Sequence, residues 1–204
     1  MEILLFIFPL LSFLLFHFFS KKIKTEFLYA FHIILLSVSF IISLYIFFKI
    51  LNLDKDIPLY FYTLLKFEYL FIDWHLRFDV LVSSIIIMVT FISLILSIYS
   101  INSIDNLSKN FKTNSYLSLS IFSVLLIITS NNLFQFFLAW YFIILSSYLI
   151  TKISKNKIDN SNIFFQNRLS DLCLFLSLYF FYIFSNSTNF DIIFKSFPII
   201  EYNT

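Results

Sequence analysis

Residues 113–151 read TNSYLSLSIFSVLLIITSNNLFQFFLAWYFIILSSYLIT. The stretch carries no Lys, Arg, Asp or Glu. It runs to about twice the roughly 20 residues that a helix, rising about 1.5 Å per residue, needs to cross a hydrocarbon core of about 30 Å. One crossing cannot hold it, and Ser130, Asn131 and Asn132 interrupt it. The reading is two helices, about 114–130 and 133–151, joined by a tight turn. Outward from this pair, segments at about 3–20, 27–48 and 80–101 are equally free of charge, and a further one at about 163–184 carries only Arg168 and Asp171. The expected fold is all-α: a polytopic membrane protein with about six transmembrane helices in a single membrane domain over 1–204, residues 185–204 forming an outer tail.

Composition agrees with a bilayer solvent. Of 204 residues 60% are hydrophobic and 13% charged, and the mean hydropathy is +0.90, which excludes a soluble globule. Aromatic content of 22% excludes disorder, and the single cysteine, Cys173, cannot pair within the chain. Glycine is absent, although average usage of about 7% would place roughly 14 in this length. Ala30 and Ala139 are the alanines, Arg77 and Arg168 the arginines, while Phe, Ile, Leu, Asn, Lys and Tyr are inflated. This is the pattern of a strongly A+T-biased gene, as in many organelle or endosymbiont genomes. No basic cluster is long enough to suggest nucleic acid as a partner. Residues 1–20 are read as a membrane span and not as a cleaved signal peptide, since no basic residue precedes the apolar run.

Basic residues in short loops stay on the side from which insertion occurs. Lys21, Lys22 and Lys24 occupy the first loop, Lys109 and Lys112 the third, and Lys152, Lys155 and Lys157 the fifth, whereas the fourth has none. The odd loops are therefore placed inside and both termini outside. In the long second loop, Lys66 and Glu68 alternate with Phe67, Tyr69 and Phe71, which predicts a short outer-surface β-strand or hairpin over about 66–76.

Ionisable groups inside a bilayer are costly and become functional candidates by default. Arg168 and Asp171, three apart on one helix face, suit a structural ion pair or part of a proton relay. His17 and His32 lie inside the first two helices. For them a hydrogen-bonded, neutral core imidazole outweighs a relay. No grouping of His, Cys and carboxylates has metal-ligand spacing, so no metal site is predicted. Ser93 and Ser97 stand in for the missing glycines as small contact residues, and Ser146, Ser147 and Tyr148 offer hydroxyls that pack helices or anchor water.

The order of motifs resembles the N-terminal part of the subunit 5 family of NADH dehydrogenase, the antiporter-like subunits of respiratory complex I. The resemblance rests on Phe8-Pro9-Leu10-Leu11, Asp73-Trp74-His75-Leu76-Arg77-Phe78-Asp79, Ser130-Asn131-Asn132-Leu133-Phe134-Gln135, Ala139-Trp140, Leu145-Ser146-Ser147-Tyr148 and Asn167-Arg168-Leu169-Ser170-Asp171. It implies a multi-pass subunit of the mitochondrial inner membrane. Its partners would be other membrane-arm subunits of an enzyme that passes electrons from NADH to ubiquinone while translocating protons. The chain itself would carry no cofactor and no redox centre.

Two departures from that family stand out. The family places a glutamate directly after the tryptophan of the fifth helix, where this sequence has Tyr141, and family glycines nearby are replaced by Ala139, Ile143 and Ile144. A buried carboxylate can be tuned to titrate near neutral pH, whereas a phenol keeps its proton there. Proton-path candidates are accordingly Tyr141 and Ser147 as hydroxyls that order water, with Arg168 and Asp171 biasing the local field. The chain also stops at Thr204, before the family's later helices, and a split gene with a second chain supplying them is expected. The rivals are a purely structural module that conducts nothing and another antiporter-like subunit.

Overall fold

The computed structural model describes residues 2–19, 25–53, 57–67, 70–103, 107–154 and 160–201. Two helices, α1 (Leu4–Phe19) and α2 (Thr25–Leu53), lead into an antiparallel hairpin, β1 (Ile57–Phe67) and β2 (Leu70–Phe78). Five helices follow: α3 (Val80–Ser103), α4 (Leu107–Thr129), α5 (Leu133–Ser154), α6 (Asn160–Ser185) and α7 (Phe190–Glu201). The loop lysines Lys21, Lys22, Lys24, Lys155 and Lys157 lie outside the described residues.

Among the described residues five helices, α2 to α6, are long and apolar enough to cross a bilayer. The sixth expected span, α1, is apolar over Leu4–Phe18 but shorter. Its 16 residues rise about 24 Å, less than the hydrocarbon thickness. The uncharged stretch divides as expected, α4 ending at Thr129 and α5 starting at Leu133. Helices α1 to α4 close a ring of contacts, α1 on α4 and α2, α3 on α2 and α4; α5 packs on α4, and α6 on α5.

Polarity in this bundle is reversed relative to a soluble protein. Ser12, His32, Ser39, Ser43, Thr90, Ser97, Asn114, Ser118 and Ser123 are buried, while Phe27, Ile41, Leu81, Met88, Phe91 and Tyr99 are exposed. A hydroxyl facing lipid has no water to bond, so it must turn inward or back onto its own helix. Many do both. Ser39 donates to the Leu36 carbonyl at 2.7 Å, Thr90 to Ile86 at 2.9 Å and Ser97 to Ser93 at 2.8 Å. Ser43 of α2 and Thr90 of α3 also meet each other at 3.0 Å.

The hairpin is longer than the expected 66–76, because Ile57–Phe67, rich in the aromatic and β-branched residues that favour extended chain, joins it as a full strand. Lys66 pairs with Phe71 across its tip, so the alternating stretch straddles the turn. The end of β2 plugs the ring. Leu76 and Phe78 are buried in one apolar cluster with Leu5, Phe6, Ile46, Ile50, Ile86 and Leu125, and the Phe6 and Phe78 rings meet edge to face at 6.3 Å. Asp79 follows at once and caps α3, its carboxylate accepting from the Val82 amide at 2.7 Å. At the same end, Lys49 donates to Glu2 at 2.7 Å. Burial raises the Glu2 carboxyl, but the bonds from Lys49 and the local backbone prevail and hold it at about 2.

A polar network ties the hairpin to two distant segments. Arg77 Nη1 donates to Asp191 Oδ1 at 2.9 Å, and the Asn131 amide donates to Asp191 Oδ2 at 2.8 Å and lies 3.2 Å from His75 Nδ1. Asn132 donates to the Asp73 carbonyl and to the Thr188 hydroxyl, each at 3.2 Å, while its own side-chain oxygen caps α5 through the Phe134 amide at 2.9 Å. Backbone bonds from Leu133 to Thr188 and from Phe190 to Asn131 complete the join. The 190–201 stretch, read from sequence only as part of a tail, is thus a helix with Ile193 buried and Asn189 capping its start. Asn186 ends α6 with φ 51°, the left-handed position that glycine would ordinarily fill in a chain that has none.

Two outcomes are expected. Phe78→Ala leaves a cavity where β2 enters the ring and should cost about 3–5 kcal/mol, read as a lowered midpoint of denaturation in detergent. Burial lowers the His75 pKa from its ordinary 6.5, the Asp191 and Asp73 carboxylates opposing and Arg77 reinforcing the shift. The folded chain therefore takes up the proton less readily than the unfolded chain, so this contribution to stability is full at neutral pH and declines as pH falls below about 6.5. Hydrogen-exchange protection of α7, corrected for intrinsic rates, should drop between about pH 7.5 and about 5.5. In His75→Gln, which keeps an acceptor for Asn131 and does not titrate, that dependence should vanish.

Candidate functional site

The charged pair expected on α6 forms on the side of that helix next to α5, with Asp171 buried and Arg168 partly exposed. Arg168 Nη1 lies 3.3 Å from Asp171 Oδ2 across one helical turn, and the guanidinium carbon sits 5.2 Å from the centroid of the Tyr141 ring on α5. A cation over an aromatic face gains from the ring quadrupole, more so away from water. Asp171 is 8% exposed on a helix that otherwise shows Leu169, Leu172, Phe175 and Leu176 outward. Beyond the ion pair, neither Asp171 oxygen has a hydrogen-bond partner among the described residues. Nor does the indole nitrogen of Trp140, next to Tyr141.

Three of the four proton-path candidates therefore come together: Tyr141, Arg168 and Asp171. Ser147 does not join them. Six residues beyond Tyr141, it falls on another face of α5, is exposed, and donates to the Ile144 carbonyl of its own helix at 2.8 Å. Its neighbour Ser146 is buried but bonds in the same way to Ile143. What this cluster can do is limited by its chemistry. The guanidinium keeps its charge, the phenol can donate a hydrogen bond, and the one carboxylate is held beside a fixed cation.

Two polar constellations had not been legible as such. At the hairpin end, Asp73, His75, Asn131, Asn132, Tyr182 and Asn186 help line a cavity of about 330 Å³. In the sequence Asn131 and Asn132 signal only a break between helices, and nothing there singles out Asp191. Within the ring, His32 is 1% exposed and its Nδ1 contacts the Ser12 hydroxyl, which lies 3.1 Å from that of Ser118. Its stripe-mates Ser39 and Ser43, at helical spacing on α2, were the available signal. Buried Gln135 has no partner for either side-chain atom among the described residues. His17, the other helical histidine, is exposed on α1 and stacks on Phe13 at 5.6 Å, away from these groups. Ser93 and Ser97 are buried and line, with Ser120 and Ile121, a crevice between α3 and α4, as small contact residues would. Among the described residues no three His, Cys, Asp or Glu side chains are grouped to hold a metal ion.

With this geometry in place, comparison with known proteins is informative. The family described as NADH:quinone oxidoreductase/Mrp antiporter, TM, matches residues 130–203, from the α4–α5 turn through α7. NADH-ubiquinone oxidoreductase chain 5 of Acanthamoeba castellanii is 31% identical over 206 residues, covering 96% of this chain and 29% of that protein. NADH-quinone oxidoreductase subunit L of Rickettsia typhi is 28% identical over 206 residues, covering 98% of this chain and 31% of that protein. A solved structure, the membrane-bound sulfane sulfur reductase (MBS), an archaeal respiratory membrane complex, superposes with a TM-score of 0.73 over 92% of this chain and 28% of its own. At 13% identity that likeness speaks for the fold alone. The chain thus spans less than a third of the length of these relatives. It is a homologue of NADH-ubiquinone oxidoreductase chain 5 and NADH-quinone oxidoreductase subunit L, corresponding to the N-terminal part of those proteins.

Proposed function

We infer that this chain is a membrane-arm subunit of a proton-translocating NADH:ubiquinone oxidoreductase in the mitochondrial inner membrane. The observation that carries the reading is the alignment of nearly the whole chain with chain 5 and subunit L, matched by a bundle of apolar helices with polar groups inside. In this reading a second polypeptide, equivalent to the remainder of the longer relatives, packs beside it. The A+T-biased composition agrees with an organelle gene. Electron transfer belongs to other subunits, and this chain contributes walls and polar groups of the membrane arm.

The proton path proposed here runs past Tyr141, Arg168 and Asp171, with Ser147 as an anchor for water on the neighbouring face of α5. The cation over the Tyr141 ring supports this, since the side chain at 141 sits within the field of the Arg168 and Asp171 charges. The same observation favours a second reading. With a phenol at 141, the cluster offers no carboxylate free of a fixed partner, and the module then serves as structure only.

One experiment tests the assignment and a second separates the two readings. On a native gel of gently solubilised source membranes, peptides of this chain should migrate with NADH dehydrogenase activity, beside a chain bearing the later helices; migration apart from that activity would refute the assignment. Tyr141→Glu places a carboxylate against Arg168 and supplies a group that can cycle a proton. If the path is interrupted at this position, the ratio of protons translocated per NADH oxidised should rise; an unchanged ratio refutes an interruption at 141 and leaves a bypass or a displaced path.

A further inference from the structure

The ring of α1 to α4, apart from the α5–α6 cluster, holds a hydrogen-bonded line that crosses three helices. Ser118 Oγ of α4 donates to the Asn114 carbonyl at 2.8 Å and lies 3.1 Å from Ser12 Oγ of α1, which contacts Nδ1 of His32 on α2. All four residues are at most 1% exposed. The edge of the imidazole meets the Phe16 ring, centroids 5.0 Å apart and planes at 83°, so its orientation is held by packing. Its other nitrogen, Nε2, is buried and has no partner among the described residues.

Counting protons shows that this line has two complete arrangements. In one, His32 carries its proton on Nδ1 and donates to Ser12, Ser12 donates to Ser118, and Ser118 donates to the Asn114 carbonyl. Nε2 is then a bare acceptor. In the other, Ser118 donates to Ser12, Ser12 donates to Nδ1, and the proton of the ring sits on Nε2. Each hydroxyl has one proton and spare lone pairs, so both hydroxyls donate in either arrangement, and the second gives up only the Ser118 bond to the Asn114 carbonyl. The arrangements differ in whether the unpartnered Nε2 accepts or donates.

We propose that Ser12, Ser118 and His32 form a reversible proton relay, in which His32 takes or releases a proton at Nε2. Starting from the first arrangement, a proton delivered by water forms the Nε2–H bond. The Ser118 hydroxyl breaks its bond to the Asn114 carbonyl and gives its proton to a second water, while the Nδ1 proton moves to Ser12 Oγ and the Ser12 proton to Ser118 Oγ. One proton enters, one leaves, and every group ends neutral in the second arrangement. Rotation of the two hydroxyls and return of the ring tautomer reset the line. A burial role alone would leave one arrangement locked and Nε2 idle. The relay stands on the α1–α4 ring by itself and does not depend on assignment to a respiratory complex.

The test uses the full chain, labelled with ¹⁵N-histidine and placed in phosphatidylcholine bilayers. With three histidines in the sequence, the His32 ring signals are identified by their loss in His32→Gln. Solid-state NMR should show both neutral tautomers in exchange in the wild type. Ser12→Ala should remove one tautomer's signal, whereas Ser12→Thr, which keeps the hydroxyl, should retain both. Unchanged His17 and His75 signals verify that the variants are folded. A single tautomer or a doubly protonated ring in the wild type overturns the proposal, as does a pair of tautomers indifferent to Ser12→Ala.

Discussion

A polar atom within the bilayer is costly unless it finds a partner without water, and the architecture follows from that constraint. The helices are rich in serine, and nearly every described hydroxyl is bonded either to a carbonyl three or four residues back or across to another helix. Back-bonding lets a hydroxyl sit almost anywhere on a helix at modest cost. It does not suffice for His32, Asn114 or Gln135, whose groups are too large or too many for their own backbone to satisfy. These side chains face the interior, and the helices rotate to put them there. The apolar surface so displaced, including most of α6, is exposed on the outside of the bundle.

The hairpin has the complementary task at the end of the bundle, where the chain leaves hydrocarbon. Its Leu76 and Phe78 join the apolar cluster of α1 to α4, and the residues that alternate with them, His75, Arg77 and Asp79, are polar. Asp191 receives both Arg77 and Asn131, so three segments far apart in sequence share one carboxylate. Charge-assisted bonds of this kind are short and directional, and the backbone bonds from Leu133 to Thr188 and from Phe190 to Asn131 act beside them. It places the α4–α5 turn, and hence the start of α5, relative to the ring.

Absence of glycine leaves marks throughout. Close helix contacts use serine, as at Ser93 and Ser97, and the left-handed residue after α6 is Asn186. At Tyr141 the change of residue type alters chemistry as well as packing. A carboxylate there would compete with Asp171 for Arg168, whereas a phenol ring offers its face to the cation and leaves the ion pair intact.

By itself the sequence determined the spans α2 to α6, because an uncharged or nearly uncharged run of the required length has few alternatives to a membrane helix. It also determined the break at Ser130–Asn132, a hairpin in the second loop, and the pairing of Arg168 with Asp171, since three residues along a helix always share a face. Other features were decided only by tertiary structure. Residue spacing cannot show that Asp191 reaches Arg77 or that Ser12, Ser118 and His32 meet, because those contacts join separate helices whose rotations are set by packing. Ser147 shows the converse: its sequence neighbourhood placed it with Tyr141, but helical geometry turned it to another face. The ring of α1 to α4, with its polar interior, is a property of the assembled helices and of no single one.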